Sequence, residues 1–262
     1  MKLHSHPTLR NQRVLRRTTN RPPLVIENSQ AVVEPIINAA DLVTCIIVNF
    51  KTAELTETAL TSFLLQYPFV SVLLVDNGSS DDSARYVKIA GDSFSTVTTI
   101  LHDENIGHGP AMHRAILQAT TRYVFTLDSD CVVEEGGFLE RMIKDFQSDD
   151  GLYALGWLRK VDPLIGVPVP DRTSNYLEYI HPSAALYDRE KYLQLAPFRH
   201  TGAPCTDNMR EAKKAGFKMQ SFPISQYVEH LEAGTRRMFK GKWNPKVDEE
   251  AGPWEKEGNW PI

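Results

Sequence analysis

The sequence predicts an α/β protein built on a doubly wound, mostly parallel sheet with helices on both faces and a smaller region beyond it. Three observations predict this fold. Short apolar, β-branched runs alternate with stretches of helical periodicity. The joints between them are short and polar, as in strand–helix–strand units. The runs are apolar almost throughout, as expected of strands covered on both faces.

The elements follow in order. Val43-Thr44-Cys45-Ile46-Ile47-Val48 reads as the first buried strand. Glu54 to Gln66 reads as a helix, with Leu55, Ala59, Phe63 and Leu64 at helical spacing and Pro68 closing it. Val70 to Val75 is the second strand, and Ser79 with Asp82 three residues on predicts a helix start of capping-box type. Val97 to Leu101 and Tyr123 to Leu127 are the third and fourth strands. Between them Pro110 stands in a first helical turn, followed by Ala111 to Ala119. After Leu158 the regularity breaks. Asp162 to Arg172 carries three prolines, Pro163, Pro168 and Pro170, and predicts an ordered surface excursion. Ser183 to Tyr187 resumes as a strand, and about Asp207 to Ala215 as a helix ended by Gly216.

Bulk properties narrow the function. The 262 residues suffice for one large domain with a substantial core. The net charge of −4 argues against bulk nucleic-acid binding, and no nucleic-acid partner is expected. No apolar run is long enough to span a bilayer, and no apolar stretch follows the basic amino terminus, so no signal peptide is expected. Three scattered cysteines, Cys45, Cys131 and Cys205, fit a reducing compartment, and a cytoplasmic location is expected. Lys2, Arg10, Arg13, Arg16, Arg17 and Arg21 precede the first acid, Glu27. That arm reads either as a floppy surface segment or as a peripheral contact with anionic lipid.

The chemistry gathers at strand ends, where open α/β sheets collect ligands. Asn49-Phe50-Lys51 follows the first strand, Asp76-Asn77-Gly78 the second and Asp128-Ser129-Asp130 the fourth. In extended chain, residues two apart face the same side, so Asp128 and Asp130 can meet one ligand. Adjacent carboxylates repel unless a cation lies between or beside them, and hard oxygen donors suit Mg²⁺ or Mn²⁺ with a substrate phosphate. An acidic turn capping a helix accounts for the same residues without a metal. Asp76, an acceptor when ionised, suits a base imide N–H or a ribose hydroxyl; a simple turn explains Asp-Asn-Gly equally. Asn105-Ile106-Gly107-His108-Gly109-Pro110 brings a glycine-containing loop to a helix start, where backbone N–H groups can meet a phosphate or a base.

Taken together, Thr44-Cys45-Ile46-Ile47-Val48-Asn49-Phe50, Leu73 to Ser83, Asn105-Ile106-Gly107 and Tyr123 to Asp130 resemble, in order and separation, the nucleotide-binding half of a family 2 glycosyltransferase with the GT-A fold. The resemblance runs from Thr44 to about Thr235 and includes Ala184 to Glu190, similar to the small-residue strand beside an acceptor site. It implies a basic arm over 1–40, a nucleotide-sugar-binding half over 41–158, an acceptor-side half over 159–233 and a tail over 234–262 that can act as a lid. Asn49 and Phe50, with Asp76, Asn105 and Gly107, would hold the nucleotide, and Asp128 would lie near the ribose or donor sugar. Asp130 and His230, with Asp128, would hold Mn²⁺ or Mg²⁺. Separately from the resemblance, Arg236 and Arg237, just past His230, have an electrostatic rationale as groups that stabilise the leaving diphosphate from the tail, and ordinary solvated surface accounts for them equally.

The resemblance thus implies a metal-dependent transfer, inverting in outcome, from a UDP-, GDP- or dTDP-sugar. The acceptor can be a glycan, a lipid-linked sugar, a protein or a small molecule. The expected acid pair before the helix ending in Ala-Gly is reduced here to Asp207, which serves either as catalytic base or as a helix cap. Two alternatives remain: a sugar-phosphate nucleotidyltransferase, weakened because Asn49-Phe50-Lys51-Thr52 lacks the glycine-rich loop of those enzymes, and a nucleotide-sugar-binding module without catalysis.

Overall fold

The computed structural model describes residues 37–231 apart from 165, 167, 171 and 200–202. Its elements run α1 (Ala39–Leu42), β1 (Val43–Asn49), α2 (Ala53–Gln66), β2 (Ser71–Asn77), α3 (Ser83–Ser93), β3 (Val97–His102), α4 (His108–Gln118) and β4 (Tyr123–Asp128). Then come β5 (Cys131–Val133), α5 (Phe138–Ser148), β6 (Leu152–Val161), β7 (Leu177–Asp188), α6 (Arg189–Tyr192), α7 (Thr206–Lys214), β8 (Lys218–Ser221) and β9 (Val228–His230).

Seven strands form one sheet in the order β3-β2-β1-β4-β7-β6-β8, and β5 pairs with β9 in a second. Strands β1, β2, β3 and β4 are mutually parallel, β6 and β8 are parallel, and β7 runs antiparallel to both β4 and β6. The mostly parallel, doubly wound sheet expected from the apolar runs is present. Every residue of β1 is buried, the pattern a central strand requires.

Alternate residues of β1 feed two cores. Val43, Cys45 and Ile47 pack with Ala59, Leu60 and Phe63 of α2 and Phe138, Met142 and Ile143 of α5. Ile46 and Val48 pack on the opposite face with Met112, Ala115 and Ile116 of α4 and Met209 and Ala212 of α7. Burying a large apolar side chain contributes roughly 1.5–3 kcal/mol, so two filled faces hold the strand ends in place. The boundary expected at 158/159 falls inside β6, and residues on either side of it share the large sheet. No helix among the described residues is long and apolar enough to cross a membrane.

One expected helix start is displaced. Helix α3 begins at Ser83, and the Ser79–Asp82 capping box does not form. The Ser79 side chain is committed elsewhere: its Oγ accepts from the Lys51 N–H at 3.0 Å, and the Asp81 carboxylate meets the Ser83 N–H at 3.0 Å instead. The Pro-rich excursion folds back on β6, with the Val169 N–H donating to the Lys160 carbonyl at 3.0 Å.

Candidate functional site

Parallel register assembles the site. Asn49 lies opposite Asp76, and Val48 opposite Asp128, so the carboxyl ends of β2, β1 and β4 stand side by side. Asp76 and Asn49 are buried, and they are joined: Asn49 Nδ2 donates to Asp76 Oδ1 at 2.7 Å. The Ser79 N–H donates to Asp76 Oδ2 at 3.0 Å, bending the chain after β2 around the carboxylate. Asn49 Oδ1 accepts from Thr56 Oγ1 at 2.8 Å and Thr52 Oγ1 at 3.2 Å, both from the start of α2. Asn49 therefore acts as a bracket that holds Asp76 in place. Both oxygens of the buried Asp76 side chain thus receive donors, as a buried polar group requires.

The next strand joins this bracket. Asn77 Nδ2 donates to Asn105 Oδ1 at 2.8 Å, and the Ile106 N–H donates to Asn77 Oδ1 at 3.2 Å. Asn105 Oδ1 also accepts from the Gly107 N–H at 2.9 Å, so the 103–107 loop is fastened to the end of β2. Phe50 is half-buried beside the bracket, with the Lys51 ammonium 5.3 Å from its ring centroid.

The acidic triplet is gathered differently from expectation. Strand β4 ends at Asp128 and Ser129-Asp130 form a turn before β5, so two-residue strand alternation is not what brings the carboxylates together. A turn is what the site requires, because it lets β5 leave the main sheet and pair with β9. In that ladder Cys131 lies opposite His230, and the Leu231 N–H donates to the Asp130 carbonyl at 2.8 Å. His230 Nε2 consequently sits 3.4 Å from Asp130 Oδ1. His108, the first residue of α4, places Nε2 3.3 Å from Asp128 Oδ1.

Charge is concentrated here. Burial opposes ionisation of Asp128, but its hydrogen bond to His108 and the charges of His108 and His230 hold its carboxyl below the usual range. The Asp130 hydrogen bond raises the His230 imidazole against burial. Burial works against a charged His108, and its bond to Asp128 outweighs this and raises it. His181 is the opposite case: burial pushes it down to about 4, so it is neutral near pH 7. Its Nδ1 meets Ser183 Oγ at 2.8 Å, and its ring centroid lies 5.9 Å from that of His230.

The donor set fits a divalent cation. Ligand atoms of Asp130, Cys131 and His230 lie within 4.8 Å of one another. A carboxylate and an imidazole suit Mn²⁺ or Mg²⁺. Cys131 is a poor third ligand, because burial raises its thiol well above the ordinary value and Sγ donates to the Ser183 carbonyl at 3.4 Å. Asp128 stands beside this group, engaged by His108.

Asp207 is the second residue of α7, whose N-cap position is Cys205, so Asp207 does not occupy the cap. Its Oδ1 accepts from Arg210 Nη1 at 2.6 Å, and Arg210 also donates to the Pro163 carbonyl in the excursion. Helix α7 packs on the main sheet through Met209 and Ala212. Arg236 and Arg237, the 234–262 tail and the arm up to residue 36 lie outside the described residues.

Sequence reasoning brought Asp76, Asp128, Asp130 and His230 to the site and missed its other histidines. His108 stood inside the quoted 105–110 loop, where an imidazole opening a helix beside an acidic strand end was the available signal. His181 carried no local signal, since it is far along the chain from His230 and only the folded structure sets their rings 5.9 Å apart.

Comparisons with known proteins bear on the family and the fold. The model of glycosyl transferase family 2 matches residues 44–204. The chain is 29% identical over 125 residues to a poly-β-1,6-N-acetyl-D-glucosamine synthase of Staphylococcus aureus, covering 47% of this chain and 30% of that protein. It is 32% identical over 93 residues to the succinoglycan biosynthesis protein ExoU of Rhizobium meliloti, covering 35% of this chain and 27% of that one. The chain thus spans less than a third of the length of these relatives. Among solved structures, the mannosyltransferase PcManGT from Pyrobaculum calidifontis, in complex with GDP-Man and Mn²⁺, superposes with a TM-score of 0.56 at 19% identity, over 69% of this chain and 54% of that one. GalNAc-T7 with UDP, GalNAc and Mn²⁺ gives a TM-score of 0.56 at 12% identity, over 70% and 42%. At these identities the superpositions speak for the GT-A fold alone, whereas the family model spans more than half of the sequence. The chain belongs to glycosyl transferase family 2.

Proposed function

We propose that this chain is a metal-dependent, inverting glycosyltransferase that moves a sugar from a UDP-, GDP- or dTDP-sugar to an acceptor hydroxyl. One observation carries the reading: the β5–β9 ladder sets His230 against Asp130 beside Asp128, one strand over from the Asn49–Asp76 bracket. A nucleotide held at Asp76 therefore has its diphosphate within reach of a carboxylate–imidazole pair.

In this reading Asp76 accepts from the base or ribose, and the 105–107 loop lies along the nucleotide. Asp130 and His230 hold the cation, with Asp128 alongside; when bound, it neutralises charge growing on the departing diphosphate. Arg236 and Arg237 add guanidinium charge from the tail. Asp207 takes the acceptor hydroxyl proton while the acceptor oxygen bonds to the anomeric carbon and the bond to the diphosphate oxygen breaks on the opposite face. The nucleoside diphosphate leaves as product.

The test is nucleoside diphosphate release from a panel of UDP-, GDP- and dTDP-sugars, with Mn²⁺ and with excess chelator. Release that needs the cation, is lost in Asp130→Ala and requires about tenfold or more Mn²⁺ in His230→Ala is the expected result. Turnover indifferent to chelator rejects the metal role. Donor-induced thermal stabilisation without any release would make the chain a binding module. The anomeric configuration of the product, read by NMR, decides the stereochemical part.

A further inference from the structure

The seven-stranded sheet ends in two strands of opposite character, β3 on one side and β8 on the other. An edge strand presents a row of backbone N–H and C=O groups without a ladder partner, and soluble proteins blunt such edges with brevity, lysine, proline or a bulge. Strand β8 has these devices. It is four residues long, opens on the exposed Lys218, and its ladder with β6 is irregular between Leu152 and Ala154. Strand β3 has none of them. Among the described residues it pairs with β2 alone, in unbroken register from Val97 to His102. Val97-Thr98-Thr99-Ile100-Leu101 holds no charge, proline or glycine, and all but Leu101 are β-branched, a composition that favours strand pairing. Thr98 is exposed, and Leu101 leaves 43% of its surface to solvent.

A strand edge is completed by another strand, and a second copy of this chain supplies one that fits. In a closed pair the two copies are related by a twofold axis and use the same patch. Opposed residues of an antiparallel ladder point to one face, so that axis passes through a residue and not between two. With Thr99 opposite itself, Val97 meets Leu101 of the second copy and Thr98 meets Ile100. Asp103 and Glu104, which follow the strand, then lie beside the uncharged Phe94-Ser95-Thr96 segment of the other copy and away from their own counterparts.

Helix α3 adds a charge match. Gly91 stands against the axial residue, since a Cβ on it would meet Thr99 Cγ2 at 2.6 Å. The two α3 helices therefore run alongside in opposite directions, level with each other at Gly91. Lys88, three residues before Gly91, and Asp92, one after it, are both exposed. Reversal of direction sets Lys88 of one copy about 3 Å along the helix axis from Asp92 of the other, which a long lysine side chain spans. The match occurs twice and serves register more than affinity.

We propose that β3 is a self-association edge, on which two copies of the chain pair antiparallel through Val97-Thr98-Thr99-Ile100-Leu101 with Thr99 at the twofold axis. Because β8 is blunted, each copy offers one open edge and growth stops at the dimer. The carboxyl ends of the parallel strands then point in opposite directions. The two candidate sites lie at opposite ends of the joined sheet, and each 103–107 loop borders the other copy.

Sedimentation velocity of the full chain from about 1 to about 100 μM tests the pairing. The wild type should pass from monomer to dimer across that range, with no larger species. Thr98→Lys and Leu101→Lys each put a charge on the edge, one on each face, and should shift the midpoint upward by about tenfold or more. Both variants should melt with the dilute wild type, because the replaced side chains are exposed. Lys88→Glu should weaken the dimer, and adding Asp92→Lys to the same chain should restore it. Thr99→Cys should give a disulfide-linked dimer under mild oxidation, because the axis brings the two Cα atoms to about 4.5–5.5 Å and the native cysteines are buried. A chain that stays monomeric throughout the range, a dimer that survives both edge lysines, or cross-linking at Ile100→Cys in place of Thr99→Cys overturns the proposal.

Discussion

Gly78 is the position where one added carbon should cost the most. It follows the Asp76-Asn77 end of β2 with φ of 74°, and a Cβ there would lie 2.2 Å from the Glu104 carbonyl carbon and 2.5 Å from the Asn105 nitrogen. Both are backbone atoms, so no side chain can swing away. Gly78→Ala meets two costs: roughly 1–2 kcal/mol for a side chain in the left-handed region, and about 1–3 kcal/mol for forcing the 103–107 loop outward. Together these amount to about 2–5 kcal/mol, a melting-temperature fall of roughly 4–20 °C for a domain of this size. Gly137 separates the terms, because its φ is 81° and a Cβ there meets nothing within 4 Å. Gly137→Ala should therefore lose only the dihedral part. Urea unfolding of both variants gives the difference, and nucleotide-sugar titration gives its consequence. Displacing Asn105 stretches the Asn77–Asn105 bond, so donor affinity should fall in Gly78→Ala and hold in Gly137→Ala. Equal destabilisation of the two variants, with equal donor affinity, would refute the argument that backbone contact at Gly78 sets the loop.

Asp207→Asn should lower transfer by about 10²–10⁴-fold while donor affinity stays within about twofold, because the amide cannot take the acceptor proton; full activity in that variant would remove the base assignment. The neutral His181 predicts an acid-sensitive fold. Its folded value of about 4 lies below the ordinary 6.5, so the unfolded chain binds the extra proton and stability falls as pH drops from about 6.5 to 4. The loss is on the order of 3 kcal/mol, and His181→Gln should flatten that segment of the unfolding free energy against pH. His108 and His230 are raised and act with the opposite sign: their contribution is present below about 6.5 and fades above it, outside this window. An unchanged profile in His181→Gln would show that the acid sensitivity arises elsewhere.

Much of the fold was legible because it is local. The apolar runs at 43–48 and 123–127 need cover on both sides, and helical spacing at Ala59, Phe63 and Leu64 announces a face that β1 must meet. Where the reading slipped, a tertiary partner outbid a local one. Ser79 looked like a helix cap and became a ligand of the Lys51 N–H, because bracing the β1–β2 ends satisfies buried donors that a solvent-exposed helix end can leave to water. The Asp128 to Asp130 segment looked extended and turned, because β5 had to leave the main sheet.

The sequence by itself determined the strand–helix alternation, the acids at the strand ends and the family they belong to, since each is written in hydrophobic period and residue order. Only the tertiary structure decided which of those groups touch. Asp130 meets His230 through a three-residue antiparallel ladder, Asp128 meets His108 through the first residue of a helix, and Trp157 meets His181 through an irregular register. Side-chain contact across strands depends on pairing register, and register is chosen by the packing of the whole sheet rather than by any short stretch of chain.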